Sequence, residues 1–198
     1  NEIEREYWDK RQLVKKINLN SLYGAILNPG CRFFDIRIGQ SVTLTGRCIT
    51  KHMASKVNEI VAGKYDHKGE SVVYGDTDSV YFSAYKTLQK EINEGVIPWT
   101  KDSVVALYDR IADEVNGSFK LFMTKAFHTP STRGEVIAAG RELVASKGLF
   151  ITKKRYAVLY YDKEGKRADV DGKDGKMKAM GLDLKRSDTP VFVQDFLS

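Results

Sequence analysis

The chain has 198 residues, of which 42% are hydrophobic and 29% charged, which is typical of a globular protein and argues against disorder. No apolar run reaches the length of a membrane span and no signal peptide is visible, so we expect no membrane partner. The net charge of +6 favours an anionic partner such as nucleic acid. Because the first residue is Asn1 rather than Met, we interpret the chain as part of a longer protein.

The first half of the chain predicts two helices and a hairpin. Gly24 and the Asn28-Pro29-Gly30 turn are expected to end the first helix. Two β-rich runs on either side of Gly75-Asp76-Thr77-Asp78 predict a tight hairpin. The predicted order is a helix over 2–23, an extended segment over 31–38, a helix over 39–61, a loop over 63–69 and strands over 72–74 and 80–82.

The second half predicts one long helix followed by strands. Thr129-Pro130-Ser131 is expected to break the helix, and Asp162-Lys163-Glu164-Gly165 is a strong turn signal. The predicted order is a surface connection over 91–100, a helix over 101–127, and strands over 135–139, 148–161 and 176–184. A further helix is expected to begin at Thr189-Pro190. Together these elements predict an α+β fold with an antiparallel sheet and packed helices.

The most informative motif is Tyr74-Gly75-Asp76-Thr77-Asp78-Ser79, which we call the acidic turn. In an extended segment, side chains two apart point the same way, so both carboxylates are expected to face one side of the hairpin tip. Neighbouring carboxylates repel each other unless a cation lies between them, and hard divalent cations prefer oxygen ligands. The alternative is an ordinary hairpin turn in which Asp bonds locally. The flanking β-runs favour a metal site.

Lys16, Asn20 and Tyr23 form a second constellation on the first predicted helix. At about 100° per residue they fall within about 60° of one another, so they share one stripe. A cation and an amide suit a triphosphate, and a flat ring suits a base pair. The alternative is a solvated polar face with Tyr23 at the edge of the core.

The basic motif Lys153-Lys154-Arg155-Tyr156 is predicted to lie inside the long strand. Charges there are costly unless they meet water or anions, and nucleic-acid phosphates are natural partners. The alternative is a strand end that charge makes soluble. Residues 176–181, including Lys178, extend the basic tract. Glu135 is a lone carboxylate whose default interpretation is an ordinary surface side chain.

These motifs, in this order, resemble family B DNA polymerases. The Lys16-to-Gly24 helix is similar to the fingers motif of the family, the acidic turn to its palm carboxylate motif, and Lys153–Tyr156 to its primer-template motif. Residues 178–190 are similar to the passage from palm to thumb. The overall spacing is most similar to polymerases of T-even-like bacteriophages. The resemblance implies the end of a fingers helix over 1–27, a palm over 28–187 and the start of a thumb over 188–198.

The resemblance also implies residue roles. Asp78 would be the main metal ligand, Asp76 would shape the site or bind metal as well, and Glu135 would be a further carboxylate near the metals. Lys16, Asn20 and Tyr23 would meet the incoming deoxynucleoside triphosphate (dNTP). The residues expected to contact primer-template DNA are Lys153, Lys154, Arg155, Tyr156 and Lys178.

The implied reaction is nucleotidyl transfer from a dNTP to a primer 3′-hydroxyl by a two-metal Mg²⁺ mechanism. A sliding clamp is expected to bind through regions outside this chain, and the protein is expected to act in the cytoplasm of an infected bacterium. The family's other metal-binding aspartate motif does not occur in this sequence, so we expect little activity from these 198 residues alone. The alternatives are a non-catalytic palm-like module that only binds nucleic acid, and a metal-dependent nuclease or nucleotide cyclase.

Overall fold

The computed structural model describes residues 2–182 and 189–192, and within them it confirms the α+β class. The helices are α1 (Glu2–Ile26), α2 (Ile36–Ala62), α3 (Gln89–Asn93), α4 (Lys101–Phe127) and α5 (Ser131–Gly134). The strands are β1 (Val72–Asp76), β2 (Ser79–Phe82), β3 (Leu143–Thr152), β4 (Arg155–Lys163), β5 (Lys166–Arg167) and β6 (Lys176–Met180). None of the described helices combines the length and hydrophobicity needed to cross a bilayer.

The chain divides into two compact units, Asn1–Ile49 and Thr50–Ser198. In the first unit, α1 continues through Gly24, so the prediction that this glycine ends the helix is wrong. The extended segment predicted over 31–38 is also wrong, because turns lead into α2 at Ile36. Asp35 explains that start: its carboxylate accepts the backbone N–H of Arg37 at 2.9 Å, as helix-capping residues do.

The second unit holds both sheets. The acidic turn connects β1 to β2 in a two-stranded antiparallel sheet, as the sequence predicts. In the other sheet, β4 pairs with β3, with β5 and with β6, always antiparallel. Residues buried along one face of α4 supply much of the core, namely Val104, Ile111, Val115, Phe119 and Met123.

Two strand predictions in this unit are wrong. Residues 135–139 form no strand, because the side-chain amide of Asn116 takes the place of a sheet partner. Its Nδ2 donates to the Ala139 carbonyl at 2.9 Å, and its Oδ1 accepts the Ala139 N–H at 2.7 Å. The single strand predicted over 148–161 is instead a hairpin of β3 and β4 that turns at Lys153-Lys154.

The predicted last strand is confirmed as far as Met180, and its final residues 183–184 lie outside the described residues. Most of the helix predicted after Thr189-Pro190 and the basic residues Lys185 and Arg186 lie outside them as well.

Candidate functional site

The acidic turn is a two-residue loop held by hydroxyl groups. Asp76 pairs with Ser79, which leaves Thr77 and Asp78 at the tip. Thr77 has φ 48°, a left-handed conformation that a β-branched residue rarely adopts. The Thr50 hydroxyl donates to the Thr77 carbonyl at 2.9 Å, and the Ser79 hydroxyl donates to the Asp76 carbonyl at 3.1 Å. The turn is therefore fixed by contacts from α2 and β2.

The two carboxylates do not lie on one extended segment, so the alternation argument for their orientation is wrong. Asp76 is the last residue of β1 and is half-buried, whereas Asp78 lies in the loop and is exposed. The Thr77 hydroxyl donates to Asp76 Oδ1 at 3.2 Å. Among the described residues, neither carboxylate forms an ion pair with Lys or Arg. Both carboxylates thus keep oxygen atoms available to a divalent cation, whose shell water and phosphate oxygens can complete.

A cleft of about 570 Å³ opens beside the acidic turn. Consecutive residues of β2 line one part of it and consecutive residues of β3 line another, with apolar side chains of α2 and α4 between them. Its polar lining includes Asp78, Arg141, Glu142 and Lys147. The Arg141 guanidinium is bound by Asp109 and by the buried Asp162. Burial alone would lower the pKa of Arg141, but the hydrogen bonds and charges of these two carboxylates together raise it.

The basic motif forms the turn of the β3–β4 hairpin, not the interior of a strand. Thr152 pairs with Arg155, so Lys153 and Lys154 are the two loop residues, which we call the basic turn. Both are exposed, and within residues 2–182 and 189–192 neither ammonium group has an acidic partner. Lys154 has φ 62°, a left-handed backbone. Two unpaired cations at a hairpin tip suit an extended anion such as a phosphate backbone.

Four aromatic rings join the acidic hairpin to the basic hairpin. We call Tyr74, Tyr81, Phe150 and Tyr156 the aromatic cluster; every pair of its ring centroids lies 5.2–5.9 Å apart. Such pairs contribute about 0.5–1.5 kcal/mol each beyond the area they bury. The Tyr81 hydroxyl donates to the Tyr156 hydroxyl at 3.0 Å. The pKa of Tyr81 is raised mainly by burial and secondly by this hydrogen bond.

The cluster also reaches the basic turn directly. The backbone N–H of Lys154 donates to the Tyr74 hydroxyl at 2.7 Å. Because Tyr74 and Asp76 both belong to β1, the strand that carries a carboxylate also holds the turn that carries the two lysines. Tyr156 is only 4% exposed and packs within the aromatic cluster, so it has little surface to offer to DNA.

Lys178 lies on β6, where its ammonium group forms an ion pair within the fold. Its ammonium binds the Glu142 carboxylate at 2.7 Å, which makes it a weaker candidate for DNA contact than the basic turn. Three residues further on, Gly181 packs against the basic turn. A Cβ atom on Gly181 would lie 2.1 Å from the Lys154 carbonyl oxygen, and Arg155 Nε donates to the Gly181 carbonyl at 3.2 Å.

The first unit carries the other predicted constellation. Lys16, Asn20 and Tyr23 lie on α1, as predicted, with Lys16 and Asn20 exposed. The Tyr23 ring is half-buried, and its hydroxyl donates to the Gly39 carbonyl at 3.4 Å. Tyr23 therefore braces α1 against the start of α2 within this unit.

Glu135 follows α5 and is exposed, with its carboxylate bound by Lys120. The described residues contain no group of three or more His, Cys, Asp or Glu side chains placed to hold one metal ion. Within the described residues Glu135 is thus bound by Lys120 and is not grouped with Asp76 and Asp78, and its role as a further carboxylate stays a prediction.

Sequence reasoning missed three contributors to this site: the Tyr74 hydroxyl, Gly181 and Glu142. Tyr74 and Gly181 stand inside motifs that the sequence singles out, but their roles depend on contacts 80 and 26 residues away along the chain. The sequence around Glu142 does not indicate a role in the site, since a single acidic residue before a strand is common on protein surfaces.

The fold and these turns define an α+β protein in which a carboxylate turn and a cationic turn lie on two hairpins joined by aromatic rings. The chain belongs to DNA polymerase family B, whose sequence model matches residues 1–198.

Individual DNA polymerases are similar in sequence to the chain, in agreement with the family match. The chain is 34% identical to the "DNA-directed DNA polymerase" of Escherichia phage RB69 and 31% identical to that of Enterobacteria phage T4, in each case over 94% of the chain and 21% of the relative. It is 29% identical to the "DNA polymerase delta catalytic subunit" of Oryza sativa subsp. japonica, over 98% of the chain and 15% of the relative. The chain thus spans about a fifth of the length of the phage relatives.

Proposed function

We propose that the protein performs template-directed DNA synthesis, transferring a nucleotide from a dNTP to a primer 3′-hydroxyl during phage DNA replication. The observation that carries this proposal is the acidic turn braced against the basic turn by the aromatic cluster. Membership of DNA polymerase family B and the two phage relatives, each a DNA-directed DNA polymerase, support it. Two carboxylates that form no ion pair among the described residues, next to a basic turn, favour metal-dependent chemistry over nucleic-acid binding alone.

Asp78 and Asp76 are proposed to hold Mg²⁺ through their carboxylate oxygens. Metal ions held there would supply Lewis-acid chemistry, lowering the pKa of an attacking hydroxyl and stabilising charge on a leaving pyrophosphate. The hydroxyl groups of Thr50 and Ser79 keep the turn in place. Such fixed positioning lets electrostatic stabilisation act without reorganisation during the reaction. The role of Glu135 as a further carboxylate near the metal ions stays a prediction. To bind a metal ion, Glu135 would have to give up its ion pair with Lys120.

The cations of the chain are proposed to bind the substrates. Lys153 and Lys154, with Arg155, hold phosphates of the primer-template near the primer end, and Tyr156 packs in the aromatic cluster next to Arg155 in the chain. Lys16 and Asn20 bind the triphosphate of the incoming nucleotide, and Tyr23 packs near the nascent base pair. In this proposal residues 1–27 are part of the fingers, 28–187 the palm, and 188–198 the start of the thumb.

The setting of the reaction is proposed to be the cytoplasm of the infected bacterium, with a sliding clamp as a partner that binds elsewhere in the protein. The first proposal rests on the phage origin of two relatives. The second rests on the resemblance to family B DNA polymerases described above.

The test is primer extension by the complete gene product with Mg²⁺ and all four dNTPs. We expect the wild-type protein to extend the primer, whereas Asp78→Ala abolishes extension and changes DNA affinity by less than about threefold, because it removes a metal ligand and no phosphate contact. The matched control is Asp113→Ala, which removes an exposed carboxylate on α4 and should extend DNA normally.

Three outcomes separate the candidate functions. Extension that depends on Asp78 supports polymerase activity, binding without extension supports a nucleic-acid-binding module, and degradation of the DNA supports a nuclease. Wild-type extension rates from Asp78→Ala would contradict the metal role.

A further inference from the structure

The basic turn is held in a conformation that its own sequence does not favour. A two-residue hairpin loop with a left-handed residue normally uses Gly, Asn or Asp, because other side chains crowd the backbone there. Lys153 and Lys154 offer none of these, yet Lys154 has φ 62°. A strained residue persists only where its surroundings determine its conformation, and such residues are common at functional sites.

Two separate elements hold the Lys154 backbone in this left-handed conformation. From β1, the Tyr74 hydroxyl accepts the Lys154 N–H at 2.7 Å. At the end of β6, Gly181 approaches the Lys154 carbonyl so closely that a Cβ atom would be 2.1 Å away. The Tyr74 ring itself is fixed by Phe150 at 5.2 Å and Tyr156 at 5.5 Å, so its hydroxyl has a defined position.

We propose that Tyr74 is a positioning residue that fixes the basic turn relative to the acidic turn through its hydroxyl group. Tyr74 precedes Asp76 by two residues on β1, so a shift of that strand moves the carboxylate and the basic turn together. DNA phosphates held by Lys153 and Lys154 would then lie at a constant distance from the carboxylates. This inference rests on the proposed function, because it assumes that the basic turn binds DNA.

The competing explanation is that Tyr74 acts only through its ring, as one more member of the aromatic cluster. Tyr74→Phe separates the two explanations, since it keeps the ring and removes the hydroxyl. Lys154 is exposed, so water can satisfy its N–H in the variant and the fold should be retained. A matched control is Tyr108→Phe, because the Tyr108 hydroxyl also accepts a backbone N–H, that of Ala84 at 3.4 Å, away from the basic turn.

The experiment measures the Kd of the complete gene product for a primer-template duplex at several salt concentrations. We expect Tyr74→Phe to raise Kd by about threefold to tenfold, the range for loss of one hydrogen bond. The slope of log K against log salt should not change, because both lysine charges remain. Lys153→Ala combined with Lys154→Ala should flatten that slope by about 0.9 for each phosphate that the protein no longer neutralises.

The decisive measurement is the double-mutant cycle. If Tyr74 acts through the lysines, Tyr74→Phe causes no further loss of affinity in the protein that already lacks both lysine side chains. Hydrogen exchange gives a second readout without DNA: the Lys154 amide should exchange faster in Tyr74→Phe than in Tyr108→Phe.

Wild-type affinity and wild-type Lys154 exchange in Tyr74→Phe would overturn the proposal. So would an equal loss of affinity with and without the two lysines, because Tyr74 would then act by another route. If the wild-type protein fails to bind primer-template at all, the proposed function fails and this inference fails with it. That result is distinct from the two that overturn the role of Tyr74 alone.

Discussion

At the scale of single residues, the site depends on backbone positions as much as on charged side chains. Thr77 and Lys154 both occupy left-handed conformations, at the tips of the acidic and the basic turn respectively. Neither is a glycine, so each conformation is held by groups from outside its own turn: the Thr50 hydroxyl for Thr77, and Tyr74 with Gly181 for Lys154.

Gly181→Ala is expected to disturb the basic turn. The substitution meets two obstacles, a φ of +63° and a Cβ position 2.1 Å from the Lys154 carbonyl oxygen. We expect a loss of stability of about 1–3 kcal/mol, measured by thermal unfolding, together with weaker binding of primer-template DNA.

Gly165→Ala is the matched control for this prediction. Gly165 has a φ of +78° in a hairpin turn, but open space surrounds its Cβ position. It should therefore show only the conformational cost, about 1 kcal/mol, and no effect on DNA affinity. Equal losses in the two variants would mean that contact with Lys154 plays no part.

At the scale of elements, helix α4 shows where sequence patterns suffice. It spans residues 101–127 as predicted, because its ends are marked locally. Thr100 caps the start, and the Thr129-Pro130 pair follows the left-handed His128 at the end. The acidic hairpin was predictable for a similar reason, since two β-runs flank a short turn.

The β3–β4 hairpin shows where such patterns fail. Nothing in Thr-Lys-Lys-Arg signals a turn, and the structure forms one because Tyr74 and Gly181 hold it there. Residues 135–139 have a strand-like sequence, but the Asn116 amide satisfies the backbone of Ala139 in place of a sheet partner. In each case a contact distant in sequence outweighs the local pattern. The same reason explains why the acidic and basic residues could be predicted and the aromatic cluster that joins them could not.

Thr100→Ala should weaken the start of α4. The Thr100 hydroxyl accepts the Ser103 N–H at 3.2 Å, and the Ser103 hydroxyl accepts the Thr100 N–H at 2.9 Å, a reciprocal capping box. Loss of such a cap costs about 0.5–2 kcal/mol. Hydrogen exchange should show faster exchange of amides in the first turn of α4.

The control for the capping prediction is Thr124→Ala on the same helix, where Thr124 is exposed and its hydroxyl donates to the Lys120 carbonyl at 3.0 Å. Alanine is a better helix former, so this variant should not be destabilised. Unchanged exchange at the start of α4 in Thr100→Ala would show that the capping box contributes nothing there.

At the scale of the whole molecule, acidic side chains that form ion pairs within the fold differ from those of the candidate site. Several acidic side chains outside the site are paired with Lys or Arg. The carboxylate of Asp169 binds Arg167 and Lys101, and these bonds hold its pKa well below the ordinary range. Asp76 and Asp78 have no such partners among the described residues. The chain as a whole carries a net charge of +6, which favours an anionic partner. Among the described residues, the charged side chains at the tips of the basic and acidic turns form no ion pairs, so they can bind such a partner and a cation.

The stability of the molecule should also depend on pH through His52, which is buried in the second unit. Its ring stacks on Phe122 at 3.9 Å, and its two nitrogens bond to the hydroxyls of Tyr65 and Ser118 at 2.8 and 2.9 Å. Burial lowers the pKa of His52, Lys56 nearby lowers it further, and Glu59 opposes the shift. Both partners are hydroxyl groups, so the neutral ring can satisfy both bonds.

The direction of the pH effect follows from the lowered pKa. The unfolded chain takes up a proton near the ordinary histidine pKa of about 6.5, while the folded chain resists protonation until a lower pH. The stabilising contribution is present above about pH 6.5 and is lost as the pH falls toward the folded pKa. We expect the thermal midpoint to fall between pH 7 and pH 5, and His52→Gln to remove most of that fall. His67→Gln, at an exposed loop position, is the matched control and should leave the fall in place. A midpoint whose pH dependence is the same in wild-type and His52→Gln proteins would show that this histidine does not couple folding to protonation.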